Sequence, residues 1–385
     1  MEAPWHMPCK ADAASVSWIT TDAELAEAAA GWSSVIGLDT EFQRTDTFFP
    51  LPGLYQISSG TRVFLVDPLS VADWSPVLEL LEDPRVTKIL HACSEDLELM
   101  RHHIGAVPMG LFDTQLARAF LSPDYSMSYT RLLEAELEIR LEQHETRSNW
   151  LARPLSEQQL RYAWEDVYYL PPLHQKLKAR LEATGRAAWF REEMDRRGRF
   201  VGVDPEQYYL NVKKAWRLPG DARRRLQALC AWRERQAMAE DRPRGRIVRD
   251  EHLLALAGQT EACAHDVFGL LPRPVARRYV DDLLAAHAQG NEPGLHPPPA
   301  EAPLRPAQVD LVRRLRDVAS ARAEALGLSP ELLARKREVE ACVRSVAAGQ
   351  GLTDAYRGWR QQALAGEFFE ILASTGPVNA DAQGG

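Results

Sequence analysis

Strand-length apolar runs alternate with amphipathic stretches over the first 200 residues, and from about residue 208 only the helical period remains. "VIGLDTEF" (35–42) predicts a buried strand that ends in two carboxylates. "LYQISSGTRVFLVDP" predicts two strands around a Ser-Gly turn, a hairpin laid on the first strand. "WSPVLELLEDP" predicts a short helix stopped by Pro84, and "VTKILHAC" a strand leading into the helix "SEDLELMRHHI". "GLFDTQLARAFL" predicts a short strand turning into a helix, and a polar loop follows "YSMSYTRLLEAEL". In "LSEQQLRYAWEDVYYLPPL", Ser156 and Gln159 have capping-box spacing and Pro171 predicts the stop. Such alternation predicts an α/β fold, a mixed sheet flanked by helices.

The rest of the chain reads as two small all-α helical domains. "DARRRLQALCAWRERQAMAE", "DEHLLALAG" and "PVARRYVDDLLAAHAQG" predict the first, over 208–289. Pro-rich "GNEPGLHPPPAEAPLRP" predicts a linker over 290–306, then a second helical domain over 307–375 and a disordered tail over 376–385. Leu226, Leu229 and Arg233 recur as Leu315, Val318 and Arg322 at one constant offset, which suggests a diverged tandem repeat.

Composition narrows the class. With 385 residues, 45% hydrophobic and 26% charged, the chain is globular and long enough for two or three domains. No apolar run approaches about 20 residues, which argues against a membrane helix. The first residues carry no basic segment followed by an apolar core, so no secretory signal is expected. Five scattered cysteines without paired spacing predict reduced thiols in a cytoplasmic protein, not a disulfide framework or a zinc site. The net charge of −8 hides an asymmetry: −10 over residues 1–200 and +5 over 208–289. A basic segment in an acidic chain suggests contact with a polyanion, and a solvated helical surface is the alternative.

The chemistry concentrates in the first 200 residues. Asp39 and Glu41 project on one side of their strand, near its C-terminal end, where open α/β sheets build their sites. Buried carboxylates need a basic partner or a metal. Asp96 stands in the first turn of the helix after the next apolar strand, and Tyr162 and Asp166 share a face of a capped helix. Singly, these read as a dipole partner, a surface hydrogen bond and a salt-bridge site. Together, four carboxylates without matched Lys or Arg repel, and hard divalent cations such as Mg²⁺ or Mn²⁺ resolve that repulsion.

"LDTEF", "HACSEDLELM" and "YAWEDVYYL" resemble the three motifs of the DEDD superfamily of 3′-to-5′ exonucleases, in the variant with tyrosine in the third motif. "DTEFQRTDTFFPLPGLYQISSG" and "LFDTQLARAFL" are similar to ribonuclease D specifically. "LQALCAWRERQAMAEDRPRGRIVRDEHLLALA" resembles the HRDC domain shared by ribonuclease D and RecQ-type helicases. The resemblance runs from about residue 17 to 375, and the second helical set departs from it, with Ala321 where the first has Trp232.

What the resemblance implies is specific. It gives a ribonuclease H-like exonuclease domain over 17–200, an HRDC-like domain over 208–289 and a diverged one over 307–375. The activity is 3′-to-5′ exoribonuclease trimming of single-stranded 3′ ends of structured RNA such as tRNA precursors, releasing nucleoside 5′-monophosphates. The cofactors are two divalent metal ions, Mg²⁺ or Mn²⁺. Asp39 would bridge both, Glu41 and Asp166 would complete the one that generates hydroxide, and Asp96 would hold the other. Tyr162 would orient the attacking water. His91 and Phe42 read as substrate contacts, with structural packing the alternative for each, and Phe48 and Phe49 as stacking platforms. Arg244, Arg246 and Arg249 read as phosphate contacts. A monomer with no membrane contact is expected. A DNA-directed 3′-to-5′ exonuclease and a non-catalytic nucleic-acid-binding protein are the other readings.

Overall fold

The strand signals of the first 200 residues assemble into one six-stranded mixed sheet in the computed structural model, which describes residues 15–141, 148–197, 202, 204–292, 294 and 296–374. The strands are β1 (Ser15–Ile19), β2 (Val35–Gln43), β3 (Leu51–Ser59), β4 (Arg62–Val66), β5 (Thr87–Leu90) and β6 (Leu111–Asp113). They lie in the order β1-β4-β3-β2-β5-β6. β3 and β4 form the expected antiparallel hairpin, with Ser59 opposite Arg62 across the Gly60 turn. β5 pairs parallel with both β2 and β6, so β2 sits at the centre. β1 and the helix Asp22–Ala29 are elements that the sequence reading did not place.

The chain divides into two compact units. The first comprises Met1–Gln43, Pro52–Phe200 and Leu304–Gly385. Its core joins Ile36, Leu38, Ile57 and Ile89 of the sheet with Leu315, Trp359 and Phe368 of the C-terminal helices. The helices that the sequence assigns to a second helical domain, 307–375, are present, and they pack against this core within the same unit. The reason is buried polar pairing as well as apolar area. Arg360, 2% exposed, bonds Glu193 at 2.9 Å, and the Trp359 indole N–H donates to Glu193 at 3.2 Å.

The second unit comprises Arg44–Leu51 and Val201–Pro303. Five helices between Gly220 and Gln289 surround Leu226, Leu229, Leu253, Leu256 and Leu283. Part of the Pro-rich stretch is seated on this unit: the Tyr209 hydroxyl donates to the Pro298 carbonyl at 2.6 Å, and Ala300 is buried. The tail 376–385 lies outside the described residues. Among the described residues no helix is long and apolar enough to cross a membrane, and four cysteines are free.

Candidate active site

β2 positions the first two carboxylates. Ile36, Leu38 and Thr40 are buried, while Asp39 and Glu41 are half-buried on the same side of the strand. The helix Glu157–Tyr168 delivers the third. Its N-terminus carries the predicted capping box, in which Ser156 accepts from the Gln159 N–H and Gln159 reaches back. Pro171 and Pro172 stand in the first turn of the next helix, Leu170–Ala183, rather than merely ending this one. The contact with β2 is close: a Cβ on Gly37 would lie 3.0 Å from the Val167 carbonyl and 2.3 Å from the Ser58 hydroxyl.

As a result one oxygen each from Asp39, Glu41 and Asp166 lie within 4.8 Å of one another. Tyr162, one turn earlier on the same helix, stands beside Asp166, whose charge helps to raise its pKa. Asp96, at the start of the helix Ser94–His103, stands outside this trio. Its buried carboxylate accepts from the Thr40 hydroxyl, and its charge raises the pKa of both Asp39 and Glu41.

The electrostatics fit a cation. Burial, then repulsion from Asp96, Asp166 and Glu41, holds the Asp39 carboxyl well above the ordinary carboxylate range. Burial and the charges of Asp166 and Asp96 push Glu41 up to about 9. Burial pushes Asp166 to about 7 and Asp96 to about 6. Among the described residues no Lys or Arg pairs with any of the four. All the donors are hard carboxylate oxygens, the set that suits Mg²⁺ or Mn²⁺.

Three residues of the site escaped the sequence reading. Thr40 holds Asp96 through its hydroxyl. The Tyr129 phenol is raised by burial and then by the charges of Asp166 and Asp39, and it donates to the Glu165 carbonyl at 3.3 Å. Asp113, fully buried, accepts from the N–H groups of Ala92 at 3.2 Å and Leu116 at 3.1 Å and from Arg197 at 3.0 Å. Ala92 has φ 55°, the left-handed region, so Asp113 stabilises the turn that launches Asp96. Only Asp113 had a sequence signal, an Asp ending a strand before a helix.

The remaining candidates fall elsewhere. His91 bonds Thr114 at 2.9 Å and packs against Tyr129, and burial lowers its pKa, so it is held as a neutral ring inside the fold. Phe42 is half-buried against the sheet core. Phe48 is buried in the second unit, where the Phe48 and Phe49 N–H groups both donate to Asp241 at 3.0 Å, so Phe48 is a packing residue. Arg244 bonds the buried Glu234 at 3.0 Å and lies over the Phe48 and Tyr208 rings. Arg246 and Arg249 are exposed, with acidic partners only at 3.8 and 3.7 Å.

Known proteins agree with this geometry. Residues 16–182 match the 3′-5′ exonuclease family, and residues 222–286 match the HRDC domain. Ribonuclease D of Pseudomonas paraeruginosa is 41% identical over 378 residues, covering 94% of this chain and 99% of that protein. The crystal structure of Escherichia coli ribonuclease D superposes with a TM-score of 0.85 at 32% identity, covering 94% of this chain and all of that one. A protein from Bifidobacterium adolescentis, 21% identical with a TM-score of 0.63 over 93% of this chain and 96% of that one, shares the fold. A mixed sheet with converging carboxylates, joined to an HRDC domain, defines a metal-dependent 3′-to-5′ exonuclease. The chain belongs to the ribonuclease D family.

Proposed function

We propose that this chain trims the single-stranded 3′ ends of structured RNA, tRNA precursors among them, and releases nucleoside 5′-monophosphates. The observation that carries the reading is the convergence of Asp39, Glu41 and Asp166, with Asp96 near enough for its charge to act on the first two. Support for RNA comes from the family and from the Escherichia coli protein, described as an exoribonuclease involved in structured RNA processing.

Asp39, Glu41 and Asp166 would hold one divalent cation, Mg²⁺ or Mn²⁺, and Asp39 with Asp96 a second. Bound there, the two ions would lower the pKa of a water and neutralise charge growing on the attacking and leaving oxygens. Thr40 fixes the Asp96 carboxylate by donating to it. Burial and the neighbouring carboxylates raise the Tyr162 pKa, so its hydroxyl keeps its proton. It can therefore donate to Asp166 and orient a water, but it is no base. The same reading makes the chain a monomer of the cytoplasm.

The test incubates the protein and Mg²⁺ or Mn²⁺ with 5′-labelled RNA and matched DNA, each with a 3′ extension. RNA should shorten stepwise with mononucleotide release, and DNA should shorten far more slowly. Asp39→Asn should lower turnover on the order of 10²–10³-fold with an unchanged unfolding midpoint. Equal rates on DNA would overturn the RNA preference, faster rates would favour a DNA-directed enzyme, and wild-type turnover by Asp39→Asn would sink the metal reading.

A further inference from the structure

The stretch "YYLNVKKAWRLP" (208–219) precedes the HRDC-matching residues and folds as two successive 3₁₀ turns, Pro205–Asn211 and Ala215–Arg217. A 3₁₀ helix has three residues per turn, so every third side chain faces the same way. The buried positions follow that count: Tyr209 is 0% exposed, Val212 4% and Ala215 0%. The backbone follows it too, since the N–H groups of 212, 215 and 218 each donate to the carbonyl three residues earlier. Three anchors inward leave Lys213, Lys214, Trp216 and Arg217 outward, and all four are exposed.

Two features set this patch apart from an ordinary solvated surface. Trp216 is 38% exposed, although an indole buries more apolar area than almost any other side chain. The Arg217 guanidinium lies 4.9 Å from the centre of its ring and steadies it from one side. Lys214 has φ 71°, a left-handed conformation that L-residues other than Asn and Asp seldom adopt. The two lysines and the indole fall within four residues of chain around that turn. No acidic side chain among the described residues pairs with Lys213, Lys214 or Arg217.

We propose that Lys213, Lys214, Trp216 and Arg217 form a binding site for single-stranded RNA, in which the indole stacks on a base and the three cations hold the flanking phosphates. An aromatic face with cations on either side is the combination that grips a single strand without reading its sequence. Net charge agrees, since the patch opens the one basic segment of an acidic chain. The proposal rests on the RNA-trimming reading above and adds a contact outside the carboxylate site.

The experiment measures binding of the full chain, in EDTA to prevent cleavage, to a 5′-fluorescent oligoadenylate of about a dozen nucleotides. Trp216→Ala should weaken binding about tenfold, and Trp216→Phe should recover most of it. The triple change Lys213→Ala, Lys214→Ala, Arg217→Ala should lower the slope of log affinity against log salt by about 0.7 per cation, about two in all. With metal restored, turnover of a dinucleotide should stay at the wild-type value, because none of these residues is among the converging carboxylates. Circular dichroism melts should match wild type, since the anchors are untouched. Variants that bind as wild type does, beside a wild type that both binds and trims RNA, would overturn the patch alone. A wild type that neither binds nor trims would overturn the RNA reading and this proposal with it.

Discussion

Gly37 shows how one missing side chain positions a carboxylate of the candidate site. Residues 37, 39 and 41 share a face of β2, and the helix bearing Asp166 comes down on that face. Ser58 fixes the approach by donating to the Val167 carbonyl at 2.7 Å, and any Cβ on residue 37 would meet both groups and Leu170 at 3.0 Å. Gly37→Ala should therefore push the helix outward, costing about 1–3 kcal/mol in a urea titration. Turnover per folded molecule should fall as well, because Asp166 precedes the displaced residue. Unchanged turnover in the folded fraction would mean that Asp166 is placed by something other than this contact. At this scale the acids were legible: Asp39, Glu41, Asp96 and Asp166 interrupt apolar or helical patterns where a charge is costly. Gly37 was not, since a glycine in a strand says nothing about what approaches it. Thr40 and Tyr129 were hidden for the same reason, because a hydroxyl reveals its role only through its partner.

Among the elements, the central strands announced themselves by long apolar runs and turn residues, whereas β1 did not. Ser15–Ile19 alternates serine with apolar residues over five positions and pairs only with β4 at the sheet edge, so its pattern is short and half polar. The loop after β2 was misleading in the opposite way. Phe48 reads as a stacking platform, but it is buried and Asp241, 193 positions away, accepts from its backbone N–H. The C-terminal helices formed as their pattern predicted, but their packing was not legible. Their helical period was plain, but nothing in it tells which core an amphipathic face joins. Glu193 on the helix Ala187–Arg197 answers that, because its carboxylate is almost wholly buried between Trp359 and Arg360. Arg360→Ala should leave Glu193 buried and unpaired, at a cost of about 3–5 kcal/mol. A loss within 1 kcal/mol, about the worth of an exposed pair, would show that these helices contribute little to the stability of the first unit.

At the scale of the whole molecule, charge separates two jobs. The first 200 residues carry a net −10 and the converging carboxylates, and 208–289 carry +5. Not every arginine in that basic segment is available to RNA. Arg244 is committed to Glu234, which is 0% exposed and also bonds Arg233 at 2.9 Å. Arg244→Glu should therefore act as a stability change, setting two carboxylates against each other and lowering the urea midpoint. Arg246 and Arg249, 70% and 72% exposed, hold their acids only loosely, so exchanging a loose pair for a phosphate costs little. In the full chain, Arg246→Glu with Arg249→Glu should lower the salt slope of tRNA-like binding by about 1.4, near 0.7 for each lost cation. Turnover of a dinucleotide should not change, because neither arginine is among the converging carboxylates. Affinity and slope both unchanged on a tRNA-like substrate would make this pair an ordinary solvated surface, and the basic balance of the segment would then owe its use to other cations.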